Sequence, residues 1–343
     1  MRVLQHETAD SGFERDLERV LRRCAPDRLV IMARVWPGDA RLWITAGCSA
    51  QPCIDRDAHL RVLECPDDRL AELCERLRTR WPRLYFCRLE PLYVHASAGT
   101  ETDAPGASLV PTPVRNVDIF RAVYHFDGET REIWWCRHCL SLANEAPLLS
   151  WNKIRETDCS DNGRGVLCER RRQVRRTPRL RFASSSLRRC MRTALVLAGA
   201  RPRGGGGGNH LGCDPAERDD APVPVHIYPD IKEHMNPFED ALRHVMHTQN
   251  TTDRRNIRKT RRELNKAYEG AHLRRVAWTD ELLAIARSNE PDYRHFLQST
   301  LFSRPELAGP DPTLIVSHGW FLKRYVLGRY SPAPADWLDI GLF

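Results

Sequence analysis

Long apolar runs are missing from this chain. Among its 343 residues no stretch approaches the roughly 20 consecutive apolar positions of a membrane-spanning helix, and 194–200 is among the longest. The opening residues, Met1-Arg2-Val3-Leu4-Gln5-His6-Glu7, lack the apolar core of a secretory leader. The expectation is a soluble cytoplasmic protein with no membrane partner. In that setting its 12 cysteines are expected as thiols rather than a disulfide framework. Lysine is scarce, at 5 residues, so the basic side chains are almost all arginine. Acidic residues are absent from 170–203, where 12 arginines stand. That segment carries +12 and the rest of the chain −4, within a net +8. Such a cluster suits nucleic acid or a phosphate pocket, and charge alone leaves the choice open.

What is present suffices for two domains with a real core, since 41% of the residues are apolar. Residues 1–115 read as a small α+β module of unknown role. Phe13, Leu17, Val20, Leu21 and Cys24 make one face of a helix, and Leu70, Leu73, Cys74 and Leu77 one face of a second. Strands are predicted at 29–35, 41–45, 84–89 and 92–95, and 97–113 reads as a linker. No internal repeat is evident. From 116 to 343 a second domain is expected. It begins with strands at 119–126 and 130–135 around an Asp127-Gly128 hairpin turn. A helix at 187–197 precedes a glycine-rich insertion at 201–225, and the remainder reads as mainly helical. Asn236 with Pro237 marks one helix start; a basic helix spans 253–269, and others are predicted at 279–288, 292–302 and 321–327. A short buried strand is predicted at 313–316. Strand, loop residue and helix recur around His138 and His318, which points to a mostly parallel sheet with its site at the strand ends.

Four short blocks carry chemistry. They are Ile133-Trp134-Trp135-Cys136-Arg137-His138-Cys139, with Ser141 and Asn144 beyond it; Ser185-Ser186-Leu187-Arg188-Arg189, with Thr193 four residues on; Pro229-Asp230-Ile231-Lys232-Glu233; and Thr313-Leu314-Ile315-Val316-Ser317-His318-Gly319. In this order they resemble the motifs of the histidine phosphatase (phosphoglycerate-mutase-like) superfamily over about 131–329. The resemblance implies a three-layer α/β sandwich that hydrolyses a small phosphorylated substrate, without metal or cofactor. His138 would be the nucleophile and form a phosphohistidine. Arg137, Arg189 and His318 would surround the phosphoryl oxygens, where charge develops in the transition state. Glu233 would protonate the leaving oxygen and later deprotonate water. Asn144 and Ser141 would help bind substrate. His138 should donate its other ring N–H to a backbone carbonyl, keeping the attacking nitrogen neutral. Cys139 stands where the family has glycine and Ser186 where it has proline; these departures imply reduced activity or an oxidisable pocket. The turn near 160–163 matches only loosely.

Rival readings remain at this stage. A phosphoglycerate-type mutase would use the same intermediate. A non-enzymatic basic protein would instead hold zinc at Cys136, Cys139, Cys159 and Cys168, or bind nucleic acid, which is not the favoured partner. Cys136-x2-Cys139 is a sound half-site, but Cys159 and Cys168 form no second knuckle and leave Arg189, Glu233 and His318 without a role. The basic helix with Arg254, Arg255, Arg258, Lys259, Arg261 and Arg262 reads as a solvated face, or as a cap over a pocket through Ile257, Leu264 and Tyr268. His244 and His247 read as structural.

Overall fold

A computed structural model describes residues 2–8, 30–36, 39–47, 58–64, 85–96, 115–139, 167, 170–172, 174, 176–203, 222–232, 254–287, 291–326 and 339–340. Helical residues at 12, 15, 16, 19, 72, 75, 76 and 79 are also described. The chain divides into two compact units. The first comprises Met1–Glu90, Arg121–Trp134 and Asp292–Pro312; the second comprises Pro91–Phe120, Trp135–Pro291 and Thr313–Phe343. Thus 121–134 and 292–312, which lie beyond the expected linker, belong with the first unit.

In the first unit, strands β1 (Arg2–Thr8), β2 (Val30–Trp36), β3 (Asp39–Gly47), β4 (Ala58–Glu64) and, as far as Glu90, β5 (Tyr85–Ala96) lie in the order β1-β4-β3-β2-β5. β1 with β4 and β2 with β5 are parallel, whereas β3 runs antiparallel to both its neighbours. Helical residues follow β1 and β4, so strand–helix–strand occurs twice, although the sequence shows no evident repeat. The two strands predicted at 84–95 are one continuous strand. β6 (Arg115–Phe126) and β7 (Glu129–Arg137) meet at a tight turn. There Asp127 (φ 48°) and Gly128 (φ 77°) are both left-handed, as a type I′ hairpin turn requires. Arg121 bridges Glu132 at 2.8 Å, and Trp134 Nε1 donates to the same carboxylate at 2.7 Å. Arg121 is the first reason, opposed by burial, that Glu132 titrates below the usual carboxylate range. Tyr124 and Tyr293 share a buried 2.9 Å hydroxyl contact. Asp292 starts the following helix by accepting the His295 N–H at 2.8 Å, the cap its side chain is suited to make.

The second unit is α/β, with a mixed, mostly parallel sheet. To the end of β7 it adds β8 (Arg181–Ser185), β9 (Arg201–Pro202), β10 (Val223–Tyr228), β11 (Tyr268–Glu269), β12 (Ala271–Arg275), β13 (Thr313–Ser317) and β14 (Asp339–Ile340). The order is β7-β13-β8-β10-β12, with β13, β8, β10 and β12 mutually parallel. β14 runs parallel to the Asn116–Val117 end of β6, and β9 pairs with β11. The described residues after 226 are mostly helical, as expected, but they also include β12, which forms the sheet margin. Its backbone is covered by Asn265, which accepts from Leu273 N at 2.7 Å and donates to Leu273 O at 3.0 Å. This is one way to blunt an edge.

Helices α1 (Arg188–Leu197), α2 (Arg254–Ala267) and α3 (Asp280–Arg287) belong to this unit. α1 buries Ala194, Leu195 and Leu197; β13 is buried along its whole length. Trp135 and Phe321 pack with ring centroids 5.8 Å apart. α2 is amphipathic, with Ile257, Thr260 and Leu264 buried on one side and Tyr268 of β11 buried just beyond its end. Thr279 accepts the Leu282 N–H at 3.2 Å at the start of α3. Among the described residues no helix is long and apolar enough to cross a membrane.

Candidate active site

Four strands of this sheet, β7, β8, β10 and β13, run into the four sequence blocks. β7 delivers Arg137 and His138, β8 Ser185, β10 Tyr228 through Asp230, and β13 Ser317 and His318. An apolar strand packed into the sheet fixes its last residue rigidly, and the polar residue after it need not pack. This is why polar chemistry collects at carboxyl strand ends. Four of the expected site residues come together here: Arg137, His138, Arg189 and His318. Glu233, Ser141 and Asn144 lie outside the described residues, as do Asn236, 160–163, His244 and His247.

The two imidazoles lie edge to face with centroids 5.3 Å apart. Both are buried, His138 at 3% exposure and His318 at 0%. His138 Nδ1 is 2.7 Å from the carbonyl of Cys139. A carbonyl only accepts, so Nδ1 carries the proton and Nε2 keeps its lone pair. Burial, then the Arg189 charge, then His318 and Arg137, hold the His138 pKa well below its ordinary 6.5; the Cys139 bond opposes them. A neutral imidazole with Nε2 as its basic nitrogen is the result.

His318 is held differently. Arg189 Nη2 lies 3.2 Å from its Nδ1, and a guanidinium only donates, so Nδ1 accepts. Nε2 then bears the proton and donates to Ser185 Oγ at 2.9 Å. The buried thiol of Cys190 lies 3.2 Å from the same Nε2. Arg137 lies across the start of the helix after His318. A Cβ added at Gly319 would fall 2.8 Å from its Cζ and 2.9 Å from its Nε. Glycine at 319 therefore makes room for the guanidinium.

The supporting contacts converge on Ser317 and Thr193, to which the sequence reading gave no structural part. Ser317 O accepts from His138 N at 3.0 Å, and Ser317 Oγ donates to Ile231 O at 2.8 Å. One residue thus ties together the ends of β7, β13 and β10. Thr193 Oγ1 accepts from Cys139 N at 3.0 Å and donates to Arg189 O at 2.8 Å. The segment leading to Glu233 is fixed at the same sheet end: Asp230 is fully buried, and Lys232 Nζ donates to Ile285 O at 2.5 Å. Thr193 was legible as an i+4 partner of Arg189. Cys190 and Ser317 carried no comparable signal.

The cysteines correct one expectation. Cys136 and Cys190 are free thiols, but Cys139 is disulfide-bonded. Cys136 Sγ donates to Arg137 O at 3.1 Å. A zinc half-site needs two thiolates at Cys136 and Cys139, and a disulfide sulfur is not one. Among the described residues no group of three or more His, Cys, Asp or Glu is placed to hold a metal ion. Comparison with protein-family models, with curated proteins and with solved structures returns no match for this chain.

Proposed function

We propose that the second unit is a histidine phosphatase-like domain, of the phosphoglycerate-mutase-like fold, hydrolysing a phosphomonoester through a phosphohistidine at His138. The observation that carries the reading is a buried imidazole with Nε2 as its basic nitrogen, packed against His318 and under the charges of Arg189 and Arg137. Their sequence positions are 137, 138, 189 and 318, and only folding unites them.

In this reading the Nε2 lone pair of His138 attacks phosphorus and the bond to the leaving oxygen breaks. Glu233 gives its proton to that oxygen. Water then attacks phosphorus, the N–P bond breaks, and Glu233 takes the water's proton. The guanidinium groups of Arg137 and Arg189 hold the phosphoryl oxygens, and their planar forks suit paired bonds to them. Arg189, which donates to His318 Nδ1 in the resting arrangement, can turn its donors to a phosphoryl oxygen. A dianionic phosphate beside His318 would favour protonation at Nδ1, adding a further donor. Ser186 has a buried hydroxyl with no hydrogen bond among the described residues, where the family carries proline. A mutase differs only in returning the phosphoryl group to a second hydroxyl, and hydrolysis is the default.

The test is acid-quench trapping with a phosphate-labelled generic substrate, followed by peptide mapping. Label on His138 supports the reading. Turnover without a labelled histidine, or equal turnover by His138→Ala, rejects it.

A further inference from the structure

The arginine-rich tract at 170–203 is the obvious polyanion site in the sequence, yet folding puts much of its charge to internal use. Arg171 donates to Gly199 O at 2.9 Å, Arg188 pairs with Glu263 at 2.7 Å, and Arg189 contacts His318. Arg192 donates to Tyr268 OH at 2.6 Å and lies over that ring. A further row of exposed cations lies on α2, read from the sequence as a solvated face or a cap over a pocket.

Along α2, Arg255, Lys259, Arg262 and Lys266 stand at i, i+4, i+7 and i+11, opposite the buried Ile257, Thr260 and Leu264. All four are exposed and Arg258 beside them is too. None of these five has an ion-pair partner among the described residues. The one acidic residue of the helix, Glu263, is turned to Arg188 on α1. Like charges at i,i+3 and i,i+4 oppose helix formation, so the row works against the element that carries it. Eleven residues of helix place the four cations along about 16 Å of a straight line. The helix is anchored by Arg188–Glu263, Arg192–Tyr268 and Asn265–Leu273. The row is therefore held in a fixed line rather than dangling.

We propose that this face of α2 docks the phosphate backbone of a nucleic acid, without reading its sequence. Arginine forks and lysine ammonium groups spaced along a line match a regularly charged rod. An anionic membrane is the weaker fit, because interfacial helices insert an apolar face. Here Ile257, Leu264 and Tyr268 are already packed inside the protein. The inference does not depend on phosphatase chemistry.

The test uses the full-length protein and a fluorescent 20-base-pair DNA duplex with 5′-hydroxyl ends, followed by anisotropy at several salt concentrations. Four backbone contacts give a log–log salt slope near −4, about a hundredfold loss of affinity between 50 and 200 mM salt. R255E/K259E/R262E/K266E should abolish binding, while R255K/R262K should retain it within about threefold. Should the fourfold variant misfold, Arg262→Gln alone should lower the slope by about one. No binding at low salt, binding indifferent to these changes, or row-dependent binding of phosphatidylserine vesicles but not of DNA would overturn the proposal. Because the duplex carries no phosphomonoester, its binding and the trapping of phospho-His138 succeed or fail separately.

Discussion

The β7–His138 and β13–His318 ends share one design: an apolar strand, a histidine at its end, and an adjoining contact to the other. Yet they hold their imidazoles in opposite tautomers. At β7 a backbone carbonyl takes the Nδ1 proton and leaves Nε2 basic. At β13 an arginine donates to Nδ1, and Ser185 takes the Nε2 proton. The strands do not make this difference; the neighbours do. A motif therefore reports where a histidine will stand, whereas its protonation is decided by groups from other parts of the chain.

The largest effect should come from swapping the two roles. His138→Ala is expected to lose the trapped phosphoenzyme and on the order of 10³-fold or more of turnover. His318→Ala should still accept label at position 138 while slowing its formation by roughly 10²-fold. Quench-flow separates the two, and equal loss of label in both would erase the proposed asymmetry.

Gly319→Ala breaks the comparison from the β13 side without touching a titrating group. The added methyl claims the volume of the Arg137 guanidinium. A fall in kcat/KM of about tenfold to a hundredfold is expected, with circular dichroism unchanged. Full activity would place Arg137 outside the reaction.

Thr193→Val removes the bridge between Cys139 and Arg189. Losing a hydroxyl that serves a buried N–H and a carbonyl should cost about 1–3 kcal/mol in urea unfolding. A change within error would mean that Cys139 and the start of α1 hold their positions independently.

Smallest, and sharpest about mechanism, is pH. The His138 pKa is held well below 6.5, first by burial and next by Arg189. In the proposed reaction the neutral ring is the nucleophile, so the acid limb of kcat/KM should lie well below 6.5. Arg189→Gln removes a cation, raises that pKa, and should move the limb toward higher pH. Stability follows the same sign. Between the lowered native pKa and 6.5 the unfolded chain binds more protons at this residue. The His138 contribution is intact above 6.5 and is lost as pH falls below it. Arg189→Gln should soften that decline. An acid limb that stays in place would remove Arg189 from the electrostatics of the nucleophile.

Some elements were legible because their apolar pattern is local. β13 is a short buried run, α2 has a 3.6-residue stripe, and Asp127-Gly128 specifies its own turn. β8, β10 and β12 were not legible. Arg181-Phe182-Ala183-Ser184-Ser185 has one large apolar side chain, β10 contains Pro224 and His226, and Ala271-His272-Leu273-Arg274-Arg275 ends in two arginines. These become strands because neighbours supply the ladder and the burial, a context no single segment carries. The same reason hid Cys190 and Ser317, whose contacts lie across the sheet rather than along the chain.

By itself the sequence determined which side chains could take part: their identities, their places at strand ends, and the basic stripe of α2 were fixed by local pattern. Only the tertiary structure decided which nitrogen of each histidine bears a proton, which arginines spend their charge internally, and which remain facing outward. Covalent order sets what each residue can donate or accept; folding alone sets the partner within about 3 Å that makes it do one or the other.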